Sequence, residues 1–146
     1  MAAGITVAVV GVTGAVGQTT LRVLEERKFP VRDLRVFASE RSAGKTVTFA
    51  GERLRVEQVG PECFKGVQVA LFSAGSAQSK ELAPLAVKAG AIVVDKSSAF
   101  RMDPAVPLVV PEINAHAVAG HKGIVACPNC TSIVTVMPLK PLHDAG

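Results

Sequence analysis

Cys130 has the most chemistry open to it. It stands in Val125-Ala126-Cys127-Pro128-Asn129-Cys130-Thr131-Ser132, at the end of an apolar run (Gly123 to Ala126) and just before a stretch able to form a helix. The first backbone N–H groups of a helix have no partners inside it and carry partial positive charge. A cysteine placed there is held toward the thiolate, the form that attacks carbon. A second cluster lies near the N-terminus, Val7-Ala8-Val9-Val10-Gly11-Val12-Thr13-Gly14-Ala15-Val16-Gly17. It reads as a strand running through a glycine turn into a helix, the arrangement that receives a pyrophosphate. A nucleotide cradle and an activated cysteine in one chain point to thiol-dependent aldehyde oxidoreduction.

Candidate cofactor contacts in the first turn are Gly11, Thr13, Gly14, Ala15 and Val16. The alternative is that Gly14 and Gly17 serve only tight packing. A second strand should end near the adenosine ribose, where a free 2′-hydroxyl usually meets an acid. Ser39-Glu40-Arg41-Ser42-Ala43-Gly44 stands there instead. Arg41 offers a fork of donors and Ser42 a hydroxyl, with Ser39 beside them, which favours NADP over NAD. Glu40 argues the other way unless it points outward, and Arg41 taken alone also reads as a solvated loop charge. Ser73 and Gly75 close a later strand at the same edge, small enough for a cofactor to lie close; a plain strand-to-helix turn reads the same way. Asp95-Lys96-Ser97-Ser98-Ala99-Phe100-Arg101 follows another buried strand, and Arg101 can hold a phosphate or carboxylate bidentately or make a surface ion pair. The Cys127-x-x-Cys130 spacing also fits a redox dithiol or, with His116 and His121, a zinc site. Its late position, after the nucleotide cradle, argues against the dithiol; Cys127 ending a strand, with the histidines on a helix and a loop, argues against zinc, and no metal site is expected. Cys63 reads as a small hydrophobe.

These groups need a scaffold. Ile5 to Val10, Leu34 to Ala38, Val67 to Phe72 and Ala91 to Asp95 read as strands, with short strands at Pro107 to Val110 and Gly123 to Ala126. Ala15 to Arg27 reads as a helix with Val16, Thr20, Val23 and Leu24 near one face, and Pro30 stops it. Ser79 to Ala89 is a second helix that tolerates Pro84, and a small helix lies near Ile113 to Val118. Thr131 to His143 starts a last helix, interrupted by Pro138 and Pro141. Thr46 to Ala50 and Leu54 to Val59 flank Gly51-Glu52 as a hairpin. Strands alternating with helices predict an α/β fold with a Rossmann-like, doubly wound, mostly parallel sheet.

The composition narrows the function. With 49% hydrophobic and 19% charged residues the chain is globular. Six Phe and no Trp or Tyr argue against a base-stacking nucleic-acid surface. The net charge of +4 comes from scattered basic residues, which suits small anions such as phosphates. Three unevenly spaced cysteines make no secreted disulfide framework, and Met-Ala-Ala-Gly is no signal peptide. No apolar run reaches the roughly 18–20 residues needed to span a membrane. A cytoplasmic location follows as the default expectation.

The sequence resembles the aspartate-β-semialdehyde dehydrogenase family over essentially all of residues 5–146. The resemblance rests on Gly11-Val-Thr-Gly-Ala-Val-Gly17, Phe37-Ala-Ser-Glu-Arg-Ser-Ala-Gly44, Phe72-Ser-Ala-Gly75, Ser97-Ser-Ala-Phe-Arg101, Val106-Pro-Leu-Val-Val-Pro-Glu112 and Pro128-Asn-Cys-Thr131 together. It implies NADP-dependent reductive dephosphorylation of 4-phospho-L-aspartate to L-aspartate 4-semialdehyde, on the route to lysine, threonine and methionine. It implies Cys130 as the acyl-thioester nucleophile with Asn129 beside it, and Arg101 as the phosphate-binding arginine. It makes Thr13 to Val16 and Arg41 with Ser42 the NADP contacts. Residues 1–130 would be the NADP-binding domain and 131–146 the start of a helix leading to a C-terminal domain absent here. That domain would supply the family's acid/base histidine, carboxylate-binding arginine and glutamine. The implied partners are an acyl phosphate and inorganic phosphate, and the full-length enzyme would be a homo-oligomer, dimer or tetramer. Two positions depart from the pattern: Lys96, where the family commonly has Asn, and Cys127, also commonly Asn. A Lys there bears on nicotinamide-side packing or phosphate affinity, and a second thiol can trap the first as a disulfide. N-acetyl-γ-glutamyl-phosphate reductase shares the chemistry, but its cysteine is typically followed by an aromatic residue, not Thr131-Ser132. A nucleotide-binding paralogue without catalysis is the other alternative, and it would have no need of Cys130.

Overall fold

Residues 4–146 are described by a computed structural model. Six parallel strands form one sheet in the order β5-β2-β1-β6-β7-β8. They are β1 (Ile5–Val10), β2 (Val31–Ala38), β5 (Glu57–Gln58), β6 (Val69–Phe72), β7 (Ile92–Asp95) and β8 (Ile124–Ala126). A two-stranded hairpin, β3 (Thr46–Phe49) and β4 (Glu52–Arg55), stands beside it. Among the described residues the α-helices are α1 (Ala15–Glu26), α2 (Ser76–Lys88), the short α3 (Pro111–Asn114) and α4 (Cys130–Asp144).

The apolar run of β1 makes it the central strand. Ala8 and Val10 pack toward α2 with Phe72, Leu82, Ala83 and Ala86. Val7 and Val9 pack toward α1 with Leu21, Val36 and Val47. Helices on opposite faces make the sheet doubly wound. The strand order reverses between β1 and β6, so their carboxyl ends open a crevice there. No crossover helix joins β5 to β6. A 3₁₀ turn, Pro61–Phe64, inserts Phe64 between Phe37 and Phe72, with ring centroids 6.4 and 5.8 Å away.

Several elements differ from the sequence reading. The buried face of α1 is Gly17, Thr20, Leu21 and Leu24, while Val16 and Val23 are 53% and 40% exposed. The i, i+3, i+4, i+7 stripe beginning at Gly17 is the one that lets the helix approach the sheet. The hairpin turn is Ala50-Gly51, both with positive φ (50° and 83°), one residue before Gly51-Glu52. The stretch from Leu54 to Val59 divides at Val56, where β4 pairs with the hairpin and β5 joins the main sheet beside β2. Pro107 to Val110 is not a regular strand. It makes one bridge, Leu108 to Ala126, because Pro107 has no N–H to continue a ladder. α2 starts three residues early, at Ser76. α4 runs unbroken through Pro138 and Pro141, since the carbonyls they strand belong to exposed Val134 and Met137, which water can reach.

Candidate active site

Loops leaving β1, β7 and β8 carry most of the candidate groups at the sheet's carboxyl edge, with those after β2 and β6 beside them. The first leaves β1. Gly11 has φ 81°, and a Cβ on it would lie 2.5 Å from the Ser73 carbonyl oxygen. A Cβ on Gly17 would lie 2.3 Å from the Gly11 oxygen. These two glycines are required by packing. Gly14 is not: the nearest atom to a Cβ there is 3.5 Å away. Gly14 is exposed, caps α1 without a side-chain hydrogen bond, and is followed by a first turn with no acidic residue. Exposed Gly14, Ala15 and Val16 thus leave a helix N-terminus open to an anion. Thr13 is half-buried behind them. Across the crevice, the Ser73 N–H donates to the Val10 oxygen at 2.8 Å. The Ser73 Oγ is buried and has no partner among the described residues. A polar ligand in the crevice would relieve a cost of about 1–3 kcal/mol. An open Gly14 and an orphaned Ser73 hydroxyl both fit a dinucleotide.

At the end of β2, Ser39 and Arg41 are exposed, as are Glu40 and Gly75 across the crevice, but Ser42 is only 8% exposed. The Ser42 N–H donates to the Ser39 oxygen at 2.8 Å and closes a 3₁₀ turn, Glu40–Ser42.

The second loop leaves β7. Asp95 is fully buried and receives the Ser79 hydroxyl at 2.9 Å, the Ser97 N–H at 3.2 Å and the Ser97 hydroxyl at 2.7 Å. Sequence reasoning assigns Asp95 no role. Its signal is an acid ending an otherwise apolar strand, one residue before Lys96. Arg101, half-buried, donates from Nε to the Cys127 oxygen and from Nη2 to the Lys96 oxygen, each at 2.9 Å. Two of its five N–H groups thus tie the exits of β7 and β8 together, and the other three have no partner among the described residues.

The third loop leaves β8. The Cys127 N–H donates to the Asp95 oxygen at 2.8 Å, so the strand reaches the same edge. Asn129 caps α4. Its Oδ1 accepts the Thr131 N–H at 2.9 Å and the Thr131 hydroxyl at 2.6 Å, with Cys130 Sγ at 3.7 Å. Cys130 is the first residue of α4, one earlier than the sequence suggests, and it is exposed. All three cysteines are free. Burial pushes the Cys127 thiol up; Lys96 and Arg101 oppose this and Asp95 adds to it. Burial likewise raises the Cys63 thiol.

No histidine joins the site. His121 Nδ1 accepts the Gly123 N–H, His116 is exposed, and His143 sits at the far end of α4 beside Asp144. Among the described residues no three His, Cys, Asp or Glu side chains are grouped to hold a metal. Among the described residues no helix is long and apolar enough to cross a membrane. A cavity of about 460 Å³ lies elsewhere, at the β2–β5 edge by Arg35, Arg55, Glu57 and Cys63.

A glycine turn at the switch point of a parallel sheet in this order defines a Rossmann-like dinucleotide-binding domain. Residues 6–121 match the family described as semialdehyde dehydrogenase, NAD binding domain, and the chain belongs to that family. Its relatives are aspartate-semialdehyde dehydrogenases, as the resemblance implied. The chain is 54% identical over 145 residues to that of Bacillus subtilis (strain 168), a match taking in 99% of this chain and 42% of the relative. The crystal structure of aspartate semialdehyde dehydrogenase II from Vibrio cholerae superposes with a TM-score of 0.94 at 49% identity, over 97% of this chain and 43% of that one. The Candida albicans enzyme, crystallised with NADP, gives 0.79 at 27% identity, over 97% of this chain and 47% of that one. The chain therefore spans less than half the length of these relatives.

Proposed function

We propose that this chain is the NADP-binding part of an enzyme that reductively dephosphorylates 4-phospho-L-aspartate to L-aspartate 4-semialdehyde, and the reverse. The observation that supports this is that Arg101, on the loop leaving β7, is tied through Nε to the Cys127 carbonyl, on the loop leaving β8 that carries Cys130. Residues 1–130 form the cofactor domain. Residues 131–146 lead into a second domain, which would cover the exposed Val134, Leu139 and Leu142 of α4. The whole enzyme works as a homo-oligomer in the cytoplasm.

The turn from Gly11 to Val16 holds the cofactor's diphosphate, Ser73 and Gly75 line the crevice, and Ser39, Arg41 and Ser42 form the 2′-phosphate end. When bound, the nicotinamide supplies a hydride. The chain's own part is acyl transfer. The Cys130 thiolate attacks the acyl carbon, and the C–O bond to phosphate breaks. Inorganic phosphate leaves with that electron pair, steadied by the free N–H groups of Arg101. After reduction, the oxyanion left on the former acyl oxygen re-forms the carbonyl as the C–S bond breaks, its electron pair going to sulfur. The aldehyde leaves and the Cys130 thiolate is restored. Asn129 keeps its amide nitrogen for the substrate, its oxygen being taken by the cap.

Arg41 decides between cofactors. The chain is expected to bind NADPH more tightly than NADH, and Arg41→Ala to remove about 1.5–3 kcal/mol from NADPH binding alone. Calorimetric titration of both cofactors checks this; equal affinities in the wild type would sink the NADP assignment.

Thiol reactivity tests the nucleophile. Alkylation with limiting reagent and peptide mapping should label Cys130 first, since it is exposed at a helix start while burial keeps Cys63 and Cys127 protonated. Labelling of Cys63 ahead of Cys130 in folded protein would remove Cys130 from its role.

A further inference from the structure

Among the described residues, Lys96 is a cation without an anion. Its N–H donates to the Phe72 oxygen at 3.0 Å, which fixes its backbone at the end of β6, beside the switch-point crevice. Successive strand residues face opposite sides. Asp95 meets Ser79 of α2, whereas Lys96 turns to α1, where Nζ donates to Thr20 Oγ1 at 2.6 Å. That hydroxyl gives its own proton to the Val16 oxygen at 2.8 Å, so it serves Lys96 only as a neutral acceptor. No carboxylate pairs with Lys96 among the described residues. The Cys127 thiol is near, but burial keeps it protonated. Burial also pulls the Lys96 ammonium below its ordinary value, as a half-buried charge with one neutral partner should be. A cation so placed in a ligand crevice calls for an anion from outside the chain.

We propose that Lys96 is a cofactor-binding residue, its ammonium pairing with the diphosphate that the first turn of α1 receives. This rests on the dinucleotide reading above. Thr20, where Nζ now sits, is five residues beyond Ala15, about 7.5 Å along the helix axis, so a change of lysine rotamer spans the gap. α1 brings no acid of its own to its first turn and no side-chain cap at Gly14, so nothing there competes for the charge. Arg101 uses only the Lys96 carbonyl, while the Lys96 ammonium is held by Thr20 of α1. The two cations thus serve different anions, the cofactor's and the substrate's.

The test titrates NADPH, 2′-phospho-ADP-ribose (diphosphate without nicotinamide) and 2′,5′-ADP (no diphosphate) against wild type, Lys96→Met, Lys96→Arg and Thr20→Val. Lys96→Gln replaces the Met variant if that chain does not fold. Lys96→Met should weaken the first two ligands about tenfold or more and the third by less than about threefold. Lys96→Arg should restore most of the loss, and Thr20→Val should keep wild-type affinity. A folded Lys96→Met chain that binds NADPH like the wild type overturns the proposal. So does Thr20→Val losing as much as Lys96→Met, which would make Lys96 a brace between β7 and α1. A wild-type chain that binds no dinucleotide overturns the underlying reading as well.

Discussion

The 146-residue chain alone is expected to bind NADPH and yet show no measurable phosphate-dependent NADP reduction with aspartate semialdehyde. Thioester chemistry needs a group to move the proton of the hemithioacetal, and a positioned acid/base contributes about 10²–10⁴-fold. The three histidines do not supply it. His121 is turned to Gly123, His116 is exposed on a 3₁₀ segment, Ala115–Gly120, and His143 is roughly 20 Å from Cys130 along α4 at about 1.5 Å per residue. Substrate grip is also incomplete. Arg101 is available for a phosphate, but no second arginine shares its loop for an α-carboxylate, so attack geometry is poorly defined. The comparison is with a chain extended to the full length of its relatives, which should turn over at least about 10²-fold faster. Comparable rates would show that the acid/base lies within these residues, and substitution of each histidine in turn would find it.

Gly17→Ala and Gly14→Ala should separate packing from ligand approach. The methyl added by Gly17→Ala would press on the backbone of Gly11 and Val12, at 2.3 and 2.6 Å, and neither can yield without moving α1 off the sheet. A loss of about 3 kcal/mol, or a Tm lower by on the order of 10 °C, is expected. At Gly14 the nearest atom is 3.5 Å away and the backbone is extended (φ −78°, ψ 162°), which alanine adopts freely. Gly14→Ala should cost less than about 1 kcal/mol in stability. It should nevertheless weaken NADPH binding, because its methyl stands where the phosphate approaches. Thermal melts with and without NADPH read both effects. Equal destabilisation by the two variants would mean that Gly14 serves packing after all.

The site is legible where one local stretch carries the chemistry. Gly11 to Gly17 announces its strand, turn and helix in a single run. A helix just after Cys130 is legible too, but the Asn129 cap, with its Oδ1 accepting the Thr131 N–H, and the start at Cys130 itself come from the structure. Lys96 is visible as a departure, but its partner Thr20 is 76 positions away, and only the crossing of β6 brings them together. Asp95 reads as the last residue of a strand with no role of its own, although its carboxylate is an anchor. What satisfies it is Ser79, on a helix that begins three residues before the start its sequence suggests. Packing alone accounts for Gly17 and not for Gly14, a distinction that spacing cannot make.

By itself the sequence determined the parallel α/β class, the glycine turn and the cysteine at a helix start. Each depends on interactions within a few residues: strand burial, helix periodicity, capping and backbone freedom at glycine. Only the tertiary structure decided the order β5-β2-β1-β6-β7-β8 and the join between the β7 and β8 exits. It also decided that α1, and not a carboxylate, receives Lys96. These are contacts between segments tens of residues apart. They are set by which strands the buried apolar faces bring side by side, and hydrophobic burial has no direction along the chain from which that order could be read.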